Sequence, residues 1–113
     1  MPEETRDRIF TFGEAESLLA EIRPLTEEAY LKIEDVRSRA AAGKAPSDDL
    51  QAEAHAIVAD WAEAVKERGA EVKGLWLVDF DNGSGYYCWR YPETRLEYYH
   101  SYDDGFGGRM RIH

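Results

Sequence analysis

Several things are scarce in this chain, and each scarcity closes off a class of protein. One cysteine, Cys88, stands in 113 residues, so no internal disulfide forms and no cysteine-based zinc site is built from it alone, which agrees with a reducing compartment. No apolar run approaches the roughly 20 residues needed to span a bilayer, so no membrane partner is expected. The N-terminal Met-Pro-Glu-Glu-Thr-Arg-Asp-Arg lacks the basic region, apolar stretch and small-residue cleavage site of an export signal, and a cytoplasmic location is the default. Basic charge is also short: 14 Lys and Arg against 23 Asp and Glu give a net charge of -9. Such a field repels phosphate backbones and speaks against nucleic-acid binding. No internal repeat, linker or low-complexity segment is visible.

What is present is 43% hydrophobic and 33% charged, the composition of a soluble globular chain. Its length suits one domain over residues 1–113. The acid is concentrated early, with 9 basic and 16 acidic side chains in residues 1–69 against 5 and 7 in residues 70–113. The first eight residues are polar without a period, which suggests a loose end.

Thr11 and Glu14 have the spacing of a capping box, in which hydroxyl and carboxylate each satisfy a free backbone N–H. A helix follows, with Ala15, Leu18, Leu19, Ile22, Leu25, Ala29, Ile33, Val36 and Ala40 striping one face. Pro24 lacks the N–H that would bond back to residue 20, so one helix bent near Arg23 is expected, ending at Gly43. Ser47, Asp48 and Asp49 read as the cap and acidic first turn of a second helix, striped by Leu50, Ala54, Ile57, Val58, Trp61 and Val65 and stopped at Gly69. The short connector at Lys44–Pro46 makes the pair an antiparallel hairpin over residues 9–69.

From residue 70 the pattern turns strand-like. Strands are expected over Glu71–Phe80, Tyr86–Tyr91 and Arg95–His100, with turns at Asp81–Gly85 and Pro92–Thr94. The tail over 101–113 is either a glycine-rich loop or a return segment ending in a short strand. The expected fold is therefore α+β, a helical hairpin packed on an antiparallel meander of about three strands. Ten of the fourteen aromatics and six of the nine glycines fall in this second part.

Val72-Lys-Gly74, Val78-Asp79-Phe80, Cys88-Trp89-Arg90, Glu93, Tyr99-His100, Gly105 and Gly108-Arg109, preceded by Phe10-Thr11 and Glu14-Ala15, together resemble a bacterial family. It is catalogued as domain of unknown function 2203, and its members sometimes carry the label division initiation protein. Pro92 stands where the family has glycine before the Glu, and Tyr99 where it has tryptophan before the His. The resemblance implies the same two-helix and small-sheet layout and brings no established activity.

Two functions follow from the residues. The leading one is a non-enzymatic module that binds a partner protein or a second copy of itself, as a homodimer, through an aromatic sheet face bearing Tyr87, Trp89, Tyr91, Tyr99 and Tyr102. The alternative is a small enzyme, or an anion- or metal-ligand-binding protein, with a polar site drawn from Asp79, Arg90, Glu93, His100, Asp103 and Arg109, which lie near strand ends and loops. Against it, Asp79 and Asp81 can hydrogen-bond their turn, Glu93 can cap its own, and Arg109 can form a structural ion pair. No His-x-x-x-His pair or close Cys and His set calls for a metal, no cofactor is indicated, and the glycine-rich tail is no phosphate loop because no helix follows it. Cys88 and His100 suggest a nucleophile and base, but a mid-strand thiol is normally a small buried hydrophobe. A three-residue turn would put these two on one sheet face and a four-residue turn on opposite faces, so spacing leaves the question open.

Overall fold

A computed structural model describes residues 8–112, so the loose end expected over the first eight residues lies almost wholly outside the described residues. Helix α1 runs from Phe12 to Ala41. Its capping box forms as the sequence predicts: the Thr11 hydroxyl accepts from the Glu14 N–H at 3.1 Å and the Glu14 carboxylate accepts from the Thr11 N–H at 2.9 Å. The chain passes Pro24 without leaving the helix. A mid-helix proline costs about 3 kcal/mol, while each buried Leu or Ile returns about 1.5–3 kcal/mol. Leu18, Leu19 and Ile22 before it and Ala29, Ile33 and Val36 after it are all buried, so packing on both sides outweighs the lost bond. The stripe differs from the expected one at two places: Thr26 is buried and Ala40 is exposed.

Helix α2 spans Ser47–Glu67 and packs antiparallel on α1. Ser47 is its first helical residue and not its cap; Pro46 holds the cap position with no side-chain bond, and Asp48 and Asp49 lie in the first turn. The two helices are joined by a buried polar contact. The Trp61 indole N–H donates to the Thr26 hydroxyl at 2.7 Å, and that hydroxyl donates to the Ile22 carbonyl at 2.8 Å.

The sheet has five strands, not three, in the order of the chain: β1 Glu71–Gly74, β2 Leu77–Asp81, β3 Gly85–Arg90, β4 Tyr98–Ser101 and β5 Met110–Arg111, all antiparallel. The expected first strand is two, because the chain reverses at Leu75-Trp76, where Trp76 adopts φ +62°. A left-handed non-glycine residue costs about 1–2 kcal/mol. Burial of the Trp76 ring between Trp61, at 5.0 Å, and Tyr30, at 6.2 Å between centroids, compensates for it. No alternation rule registers that reversal, since Gly74–Val78 is apolar throughout. The tail makes a short 3-10 turn at Phe106–Gly108 and then returns as β5.

The turn between β2 and β3 is closed by the Asp81 and Asn82 side chains, which accept from the N–H groups of Gly83 and Ser84 at 2.9 Å each. Close strand approach fixes Gly85, where a Cβ would lie 2.5 Å from the His100 carbonyl oxygen. Val78, Phe80 and Trp89 point from the sheet into the helical layer and join Phe10, Ile22, Trp61 and Val65 in the core. Alternation therefore sends Asp79 and Cys88 to the opposite face.

Candidate functional site

Three neighbouring strands build the site. Asp79 on β2 is the direct cross-strand partner of Cys88 on β3, and His100 on β4 is the partner of Tyr86 on β3, two residues from Cys88. All three side chains therefore share one face. The open register question is resolved by the connection between β3 and β4, which runs from Tyr91 to Glu97 and is longer than either expected turn.

Asp79 and His100 form a buried pair, with Asp79 Oδ2 and His100 Nε2 2.8 Å apart and the two side chains 2% and 4% exposed. His100 Nδ1 lies 2.8 Å from the Ser101 carbonyl oxygen. A carbonyl can only accept, so Nδ1 carries a proton, and one further proton is held between Nε2 and Oδ2. The other carboxylate oxygen, Oδ1, is buried and has no hydrogen-bond partner among the described residues. The Cys88 thiol completes the group: one ligand atom from each of Asp79, Cys88 and His100 lies within 4.8 Å of the others. Burial raises the proton affinity of Asp79, opposed by the nearby Cys88 thiol and the His100 ring. Burial likewise drives the Cys88 thiol far above its ordinary range, assisted by Asp79 and opposed by Arg109. A thiol so placed holds its proton tightly and is a poor nucleophile.

A second pair stands beside the first. Glu93 receives both arms of Arg109, at 2.8 and 3.1 Å, and also accepts from the Arg90 backbone N–H at 2.9 Å. The Glu93 carbonyl accepts from the Trp89 indole at 2.7 Å and from Arg23 of α1 at 3.4 Å, which pins the loop to the core. The Arg109 guanidinium lies between the rings of Tyr98 and Phe106, 4.1 Å from each centroid. Glu93 thus does cap its own turn and Arg109 does pair with it, as the structural reading of these residues expects. Asp79 departs from that reading, for it turns to His100 and leaves the hairpin turn to Asp81.

Arg90 is exposed, with its guanidinium 5.4 Å from the Phe106 ring, and Asp103 is exposed in the turn after β4; neither joins the buried group. The expected aromatic surface is largely inside. Trp89 is fully buried in the core, and Tyr87 and Tyr91 are half-buried, with Tyr87 edge-on to Phe12 and Tyr91 5.0 Å from Tyr30. Only Tyr99 and Tyr102 are exposed, and the Tyr102 hydroxyl donates to Asp81 at 2.7 Å. The reason is that β3 alternates toward the helices at Tyr87 and Trp89. Residue typing also passes over Lys73 and Glu71, 3.1 Å apart, with the ammonium 4.4 Å over the Tyr86 ring beside His100.

These features define an α+β protein in which a helical hairpin covers one face of a meander and the other face carries a buried Asp–His–Cys group. The chain belongs to the family described as uncharacterized conserved protein DUF2203, whose profile matches residues 8–112. No curated protein and no solved structure matches it. Among the described residues no helix is long and apolar enough to cross a membrane.

Proposed function

We propose that this chain is a small binding protein, not an enzyme, and that its ligand site is the polar sheet face formed by Asp79, Cys88 and His100 with Arg109 and Glu93 alongside. The observation that carries this reading is the buried Asp79 carboxylate with one oxygen left unpartnered beside an imidazole and a thiol. An unsatisfied buried acceptor costs about 1–3 kcal/mol, an expense that a bound ligand offsets. Catalysis through Cys88 is disfavoured by the raised proton affinity of its thiol. Thermal unfolding of the purified protein in zinc chloride, magnesium chloride, sodium phosphate and sodium citrate tests it. At least one of these should raise the Tm of the wild type and fail to raise that of Asp79→Asn or Arg109→Ala. No ligand-dependent shift in the wild type would overturn the reading.

A second reading, self-association at the β4–β5 margin, is favoured by one observation. Tyr99 and Met110 are cross-strand partners and remain 37% and 49% exposed, beyond the cover of the helices. Sedimentation velocity should then show a dimer that Met110→Lys dissociates, whereas a monomer at all concentrations excludes it.

A further inference from the structure

We infer that Asp79, Cys88 and His100 form a binding site for one divalent transition-metal ion of the zinc class, an inference that rests on the binding reading above. The donor set is a carboxylate, a thiol and an imidazole, the mixture that borderline metals such as zinc and cobalt take and that magnesium or calcium would not choose. The imidazole is already set as a metal ligand is: Nδ1–H is spent on the Ser101 carbonyl, 2.8 Å away, so the Nε2 lone pair faces the group. At 2.8 Å the Nε2 and Asp79 Oδ2 atoms share a proton, which a metal ion bound by both would replace.

Charge balance permits the ion. With His100 neutral, Asp79 and a Cys88 thiolate carry two negative charges, which a dication cancels, so the buried site becomes neutral as burial requires. Binding displaces two protons to solvent, one from the thiol and one from the shared carboxylate–imidazole contact. Distances allow it as well. Ligands at ordinary zinc bond lengths stand about 3.3–3.6 Å apart around a tetrahedron, and the three donors now lie within 4.8 Å of one another. The Asp79–His100 contact opens by about 0.5 Å and the thiol closes by at most about 1.5 Å, which side-chain rotation can supply on a rigid strand platform. Oδ1 of Asp79, which has no hydrogen-bond partner by geometry among the described residues, gives the site a further donor.

Cobalt(II) tests this with a readout that a structural role would not produce. Reduced protein stripped of metal by a chelator is titrated with cobalt chloride. A thiolate-to-cobalt charge-transfer band should grow to one equivalent and disappear when zinc chloride is added. Cys88→Ala should abolish the band, Asp79→Asn should weaken cobalt binding at least about tenfold, and His55→Ala, on the exposed face of α2, should change neither. Circular dichroism establishes that each variant is folded, and the Asp79→Asn measurement stands if Cys88→Ala is not. No charge-transfer band in the wild type, or Asp79→Asn binding cobalt as tightly as the wild type, would overturn the inference. If phosphate or citrate stabilises the protein through Arg109 while cobalt gives no band, the metal site falls and the broader binding reading stands.

Discussion

Trp89→Ala will lose about 3–5 kcal/mol of stability, lowering the Tm of a chain this size by about 12–20 °C. Trp89 is fully buried where the helices meet the sheet, and its indole N–H holds the Glu93 carbonyl at 2.7 Å. The substitution therefore opens a large cavity and frees the loop that positions Glu93 and, through it, Arg109. Trp89→Phe keeps most of the ring volume and gives up only that hydrogen bond and a small void. Its loss should be about 1–3 kcal/mol. Urea unfolding followed by the fluorescence of Trp61 and Trp76 measures both. Equal losses in the two variants would show that the indole bond, and not the filled volume, holds this junction together.

How far the sequence could be read follows the reach of each physical signal. Helix α1, its capping box and its end at Gly43 are local, decided within one or two turns by side-chain chemistry and the 3.6-residue period, and they are legible residue by residue. At Pro24 the helix rule weighs one lost backbone bond, and the six buried apolar residues on either side keep the helix continuous through it, as the unbroken stripe leads one to expect. Sheet boundaries are less legible. Leu75-Trp76 carries none of the glycine or asparagine that normally marks a hairpin, and the turn exists because Trp76 has Trp61, from another element, to pack against.

The site shows the same division. The pairing of Asp81 with Tyr86 sets Asp79 opposite Cys88, whereas the turn expected over Asp81–Gly85 would set it opposite Tyr87, so one residue of register separates the sequence from half of the buried group. His100 lies further out of reach. Its register passes through the seven-residue connection Tyr91–Glu97, whose path depends on the Trp89 and Arg23 bonds to the Glu93 carbonyl. For the same reason a mid-strand cysteine reads as an ordinary core residue, and only the assembled sheet shows that its face is the polar one.

Breaking the Asp79–His100 pair from either side will cost more than removing both members. In chelator-treated protein, Asp79→Val or His100→Leu alone should each destabilise by about 3–5 kcal/mol, because each leaves the other group buried without its partner. The double variant should be no less stable than either single, with a coupling at least as large as the greater single loss, about 3–5 kcal/mol, since two apolar side chains satisfy one another where one stranded polar group does not. Chemical denaturation of the four proteins closes the cycle. Simple additivity would mean that each residue is held by other partners, Lys73 for the carboxylate and the Ser101 carbonyl for the ring, and that the pair is incidental. Strong coupling with a stable double variant has a different meaning: the fold can be built from apolar residues at these positions, so a carboxylate, an imidazole and a thiol stand together there for what they bind and not for the stability they confer.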